Sequence, residues 1–180
     1  MNVIGLAGLA GSGKDTVADI ICGELGYRRL AFADPIKLAA IELFGLTHYQ
    51  ISTRALKEQP VPYWGLSPRE IMQRLGTEVC RLIHPDTWTR YAKRRICTQA
   101  ANGWVITDCR FDNELVMVRE LGGQVWWIDR ETTPVSGHAS ESSIAAHDCD
   151  LVIDNNGTLE DLQYLVRHLL KPTRKITQCA

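Results

Sequence analysis

The chain opens on an apolar run, "NVIGLAG", whose unbroken hydrophobicity suits a strand buried on both faces better than a half-exposed one. It leads straight into glycines. After Lys14, the residues Val17, Ile20, Ile21 and Leu25 recur at helical spacing, and Gly26 stands where a C-terminal cap belongs. "RRLAF" (28–32) reads as a second strand, and "ADPIKLAAIELFG" (33–45) as a helix with Pro35 in its first turn and Gly45 at its end. Periodicity then lapses from 46 to 66, where Pro60 and Pro62 sit beside Tyr63 and Trp64, which predicts a long surface loop. "SPRE" (67–70) restores it with a capping box and a proline at the first helical position, predicting a helix to about Ile83. "HPD" breaks that helix, and Asp86 is placed to cap another through about Ala101.

The second half alternates again. "WVITD" reads as a strand, 113–121 as a helix, "GG" as a turn and "QVWWID" as a strand. A polar loop follows from Arg130 to Ser140, then a short helical stretch, the last strand "DLVID", and a turn at Asn156-Gly157. "TLED" caps a final helix on which Leu159, Leu162, Val166 and Leu169 share a face. Strands alternating with helices predict parallel crossovers and an α/β fold of three layers, its central parallel sheet covered on both sides.

Composition narrows this without redirecting it. At 180 residues and 45% hydrophobic content the chain is long enough for one good core and short for two, so 1–180 reads as a single domain. A net charge of −1 gives no general attraction to nucleic acid or to an anionic membrane, and no apolar run is long enough to cross a bilayer. The six cysteines (Cys22, Cys80, Cys97, Cys109, Cys149 and Cys179) are scattered without a C-x-x-C pair and follow no signal peptide, so they read as reduced thiols of a cytoplasmic protein. The histidines show no zinc spacing.

The chemistry gathers first at "GLAGSGKDT". A strand enters, a helix leaves, and Gly8, Gly11 and Gly13 permit backbone angles at which successive N–H groups turn inward around Ala10 and Ser12. Lys14 follows in the register from which it reaches β- and γ-phosphates. The residue after it departs from the Walker pattern: Asp15 stands in place of a hydroxyl, and Thr16 offers one a position later. Loops with that shift resemble those of nucleoside monophosphate kinases of the adenylate kinase kind, in which Mg²⁺ is held by phosphates and water. Asp15 faces either a metal-bound water or solvent. Downstream, Asp34 in "FADPIK" follows the second strand at the carboxyl edge of the sheet, where it either holds an acceptor group or caps a helix. Asp108 ends the next strand, in the position from which an acid reaches Mg²⁺ through water, and Arg110 two residues later can point a fork of donors at a phosphate.

Together, "GLAGSGKDT", "FADPIK", "SPREIMQRLGTEVCRLIHPDTW", "VITDCRFDNE", "HASE" and "DLVIDNNGTLEDL" occur in an order that resembles deoxynucleoside monophosphate kinases of the bacteriophage type, over nearly the whole chain. The resemblance implies a P-loop kinase that uses ATP and Mg²⁺ to convert a deoxynucleoside monophosphate to the diphosphate in the cytoplasm, of a host cell if phage-encoded, without nucleic acid or membrane partners; a homodimer stays open. It implies a helical acceptor-binding region over about 46–101 and a short lid over about 130–147. The catalytic set it implies is Lys14, Asp108, Arg110 and Arg130, and the metal candidates are Asp15, Thr16 and Asp108, directly or through water. For the acceptor it implies Asp34, Lys37, Arg69, Gln73, Arg81 and Trp88, with His138 and Glu141 matching an "H-x-S-E" piece of the lid. Arg69, Gln73 and Arg81 stand four or eight residues apart, on roughly one helical face, where arginine grips a phosphate and glutamine reads a base edge. Trp88 either stacks on the base or belongs to the core. The ending "IDNNGTLEDL" also looks like dephospho-coenzyme A kinases, the runner-up, and a nucleotide-binding switch module without catalysis is a third reading. The first would be favoured if Gln73 and Trp88 lay far from the pocket.

Overall fold

A computed structural model describes residues 2–131 and 144–171. Five parallel strands, β1 (Val3–Ala7), β2 (Arg28–Leu30), β3 (Trp104–Ile106), β4 (Gln124–Asp129) and β5 (Leu151–Asp154), form one sheet in the order β2-β3-β1-β4-β5. Side-chain alternation splits the sheet between two cores. Val3, Ala7, Trp104, Ile106 and Val125 face one side, where they pack on α7 (Thr87–Thr98) and α8 (Asp112–Glu120). Leu6, Val105, Trp126, Ile128 and Ile153 face the other, against α1 (Lys14–Leu25) and α9 (Leu159–Leu170). The result is the expected three-layer α/β arrangement.

A third, smaller core lies beside the sheet. Ala40 of α2 (Ala33–Phe44), Leu46, Ile51 of α3 (His48–Ser52) and Ile71 of α5 (Pro68–Gln73) form it. Here the expected loop over 46–66 is corrected. It contains α3, capped by Thr47 with a reciprocal Gln50 contact, and α4 (Arg54–Lys57), both too short for a periodicity to register. The remainder is pinned by Trp64, whose indole N–H donates to the Phe44 carbonyl at 2.8 Å.

Other expected elements shift for local reasons. Strand β2 stops at Leu30 because the N–H groups of Phe32 and Ala33 turn to the Asp108 carboxylate at 2.8 and 2.9 Å. Asp86 precedes α7 but makes no side-chain cap; its carboxylate instead accepts from Asn113 at 2.9 Å. On α9 only Leu162 and Val166 of the expected stripe are buried, whereas Leu159 and Leu169 are exposed and Leu165 and Leu170 pack in their place. The helix begun at Ser67 does reach Ile83, through a π-helical stretch, Arg74–Val79, and α6 (Cys80–Ile83). No helix among the described residues is long and apolar enough to cross a membrane.

Candidate active site

The glycine loop joins β1 to α1 with Gly8, Gly11 and Gly13 all at positive φ, which a side chain would strain. Two neighbours hold it closely. A Cβ on Gly8 would come within 2.5 Å of the Ile128 carbonyl oxygen, and one on Gly13 within 2.3 Å of the Asn155 amide nitrogen. That buried amide donates to the Ser12 carbonyl at 2.7 Å, so the "DNNGT" turn after β5 clamps the loop. Lys14 folds back over the loop, its Nζ donating to the Gly8 and Leu9 carbonyls at 2.7 and 2.6 Å. Its ammonium thus lies inside the ring of backbone atoms, beside Ala10, where a phosphate would be cradled. Thr16 follows, half-buried in the first turn of α1.

Asp15 points elsewhere. Its carboxylate is 86% exposed and ion-paired with Arg29, which also binds Asp19 at 2.6 Å. Asp15, one of the expected metal candidates, is thus engaged by a cation: with Asp19, one turn on along the outer face of α1, it answers Arg29 at the sheet edge.

The order of the sheet reverses at β1 and β3, and a crevice opens at their carboxyl ends, where open α/β sheets bind ligands. Across the crevice from the glycine loop lies a second, open cleft. Phe32, Lys37, Arg69, Gln73, Arg81, Trp88, Asp108 and Arg110 all line it. Arg110 also lines the pocket of the glycine loop, so a single exposed guanidinium borders both spaces. Gln73 and Trp88 are not remote from the cleft, and the observation that would have favoured a dephospho-coenzyme A kinase is not made.

At 3.6 residues per turn, the twelve residues from Arg69 to Arg81 would set Arg81 about 120° off the shared face. The wider turns of Arg74–Val79, in which Cys80 N–H donates to the Leu75 carbonyl five residues back, rotate less per residue and so reduce that excess. Trp88 supports this irregularity by donating its indole N–H to the Gly76 carbonyl at 2.9 Å. Only 8% exposed, the ring sits in the core at the back of the cleft, so base stacking gives way to a structural use.

Charges in the cleft are mostly answered. Asp108 spans the two first N–H groups of α2 and tethers that helix to the end of β3; burial pushes its carboxyl up, with those hydrogen bonds opposing. It lines the second cleft and not the glycine-loop pocket, where a metal-binding acid was expected. Asp34 and Lys37 pair at 3.3 Å, and Arg69 with Glu58 at 2.6 Å. Arg81 lies 3.7 Å above the Phe111 ring centre and binds Glu114 at 2.6 Å.

The chain's pattern matches one group of known proteins. A family model described as deoxynucleotide monophosphate kinase matches residues 49–166. The chain belongs to that family. It is 36% identical over 177 residues to a protein of Acanthamoeba polyphaga mimivirus provisionally named a deoxynucleotide monophosphate kinase, covering 89% of this chain and 92% of that one. With the deoxynucleoside-5'-monophosphate kinase of Escherichia phage T5 it shares 27% over 215 residues, 80% of this chain and 85% of the relative. Among solved structures, a shikimate kinase from Aquifex aeolicus superposes with a TM-score of 0.52 at 12% identity, over 93% of this chain and 95% of that one, a likeness of fold alone.

Within this family member, two residues that matter to the geometry, Glu114 and Lys57, escape a reading of the sequence. Glu114, 2% exposed, accepts from the amide of Arg110 at 2.7 Å with one oxygen and from Arg81 with the other. Burial pushes its carboxyl up to about 7, against the pull of the Arg110 amide and Arg81. It stood in the open as N3 of α8, but nothing local said which cation it would meet. Lys57 lies on α4, inside the stretch without periodicity. Arg130 is exposed at the end of β4. His138 and Glu141, and with them most of the expected lid, lie outside the described residues.

Proposed function

We propose that this chain phosphorylates deoxynucleoside monophosphates, with ATP as donor and Mg²⁺ as the accompanying ion. The terminal phosphoryl group passes from ATP to an oxygen of the acceptor's phosphate, and ADP and a deoxynucleoside diphosphate leave. One observation carries the reading: Arg110 borders both the glycine-loop pocket and the second cleft, so two anions placed there would meet at one guanidinium. Such a transfer needs alignment and charge neutralisation more than proton removal, because the acceptor oxygen is already anionic. Lys14 and the loop amides hold the donor's tail, Arg69, Arg81 and Arg110 draw in the acceptor, and Gln73 offers both a donor and an acceptor to a base edge.

The donor groups present suit Mg²⁺. The Thr16 hydroxyl lies one residue beyond Lys14, at the start of α1, and this ion keeps several waters while binding mainly through phosphates. When bound it would supply neutralisation of the phosphate oxygens; Asp108, whose two oxygens accept from the start of α2, would reach it only through water. The reading places the enzyme in the cytoplasm, where both nucleotides occur.

A coupled ADP-release assay with ATP, Mg²⁺ and a panel of monophosphates, dephospho-coenzyme A included, tests this. Turnover with at least one deoxynucleotide is expected, and Lys14→Ala should lower it by on the order of 10²–10³, the scale for removing a group that stabilises developing charge. ADP release indifferent to every acceptor would sink the proposal.

A further inference from the structure

We infer that Lys57 is a ligand of the acceptor's phosphate, which it shares with Arg110; this rests on the reading that the cleft takes a deoxynucleoside monophosphate. Lys57 lines the cleft and also a groove behind it formed with Lys37, His48, Ile51 and Ser52. The other cations near it each have a carboxylate: Arg69 has Glu58, Arg81 has Glu114 and Lys37 has Asp34. Among the described residues, neither Lys57 nor Arg110 makes an ion pair. Burial and then the fields of Arg69, Lys37 and Arg110 pull the Lys57 ammonium below the ordinary lysine range, with Glu58 only partly opposing.

A half-buried ammonium set among three other cations raises the free energy of the unliganded protein. A phosphate dianion between Lys57 and Arg110 reverses the sign of those interactions and supplies the missing partner to both. The carboxylates around the cleft are engaged: Asp108 and Glu114 on its wall with the start of α2 and with Arg81, and Asp34 and Glu58 with the lining cations Lys37 and Arg69. The two unmatched cations also belong to different bodies. Lys57 rides on α4 in the helical region, whereas Arg110 follows β3 and borders the glycine loop. An acceptor phosphate drawn between them is therefore held at the wall it shares with the donor.

Lys57→Met and Lys57→Arg test this in the full chain, by KM for the deoxynucleotide, KM for ATP and the melting midpoint without ligand. Lys57→Met should raise the acceptor KM by about tenfold or more, the worth of one charge-assisted contact, and leave the ATP KM within about twofold. Its ligand-free midpoint should equal or exceed that of the parent, since a repelled charge has gone, and Lys57→Arg should recover most of the acceptor affinity. An unchanged acceptor KM in Lys57→Met, a parallel rise in both KM values, or a lowered midpoint with both substrates affected overturns the assignment. If the parent turns over no deoxynucleotide the activity reading fails instead, and titration calorimetry of parent and Lys57→Met with a deoxynucleoside monophosphate then decides Lys57 by itself: equal binding overturns it.

Discussion

The glycine loop and the neighbouring cleft are built in opposite ways. The loop is contiguous, a run from Gly8 to Thr16 whose donors are backbone amides and whose one cation rests on its own carbonyls. The cleft is assembled from α2, α4, α5, α6, α7 and the turn after β3, and its cations outnumber the carboxylates that answer them. A backbone site must be stiff before ligand arrives, and the packing of Ile128 and Asn155 against Gly8 and Gly13 makes it so. A side-chain site can hold its charges in pairs and leave some unmatched for the ligand to complete.

That contrast predicts different failures. Gly8→Ala should be the most damaging change, because it combines a positive φ with a 2.5 Å approach to the Ile128 backbone carbonyl, which cannot swing aside; strain and overpacking together predict a stability loss of about 2–5 kcal/mol. Urea denaturation would reveal it, and a variant as stable as the parent would break the claim that the loop is held rigid.

Glu114→Gln should act on the acceptor alone, and in a pH-dependent way. The folded carboxyl titrates near 7 against an ordinary 4.5, so the folded state binds the extra proton between those values. Its contribution to stability therefore falls as pH rises from about 4.5 to about 7 and is level above. The hold on Arg81 runs the other way, since protonation below about 7 removes a charged partner. The ratio of variant to parent acceptor KM, which cancels the titration of the acceptor phosphate itself, should be several-fold at about pH 8 and approach one at about pH 6. A ratio independent of pH would count against Glu114 as the charged anchor of Arg81.

Trp88→Phe keeps a large ring and deletes one hydrogen bond, to the Gly76 carbonyl within the π-helical stretch. A rise of a few-fold in acceptor KM with ATP KM unchanged is expected, in line with about 1 kcal/mol for a neutral hydrogen bond. Equal effects on both substrates would mean that the ring supports the whole core and not the phase of Arg81. Asp15→Asn should have the smallest effect, because the carboxylate lies at the surface with Arg29; an unchanged Mg²⁺ dependence of turnover is expected, and a large shift in it would restore Asp15 as a metal ligand.

Legibility followed the same division. The five strands, the loop and its flanking helix could be read because period, capping and glycine placement are local signals, and all lie within a few residues of one another. The Ser67 capping box located a helix start to the residue. Helices α3 and α4 could not be read, being shorter than two turns, and with them Lys57 was lost. Asp86 had the right type and position for a cap, yet Asn113, 27 residues away in sequence, took its carboxylate. Arg81 does line one cleft with Arg69 and Gln73, although the idealised helix on which they were grouped would have turned it away.

By itself, then, the order of residues settled the layered α/β plan and the donor loop, since both follow from backbone geometry and apolar spacing within short windows. Only the folded chain decided which charges meet: that Asp15 goes to Arg29, Asp108 to the start of α2, Glu114 to Arg81, and that Lys57 and Arg110 are left without a carboxylate among the described residues. Electrostatic pairing depends on distance and burial, and these are set by packing between elements far apart in the chain.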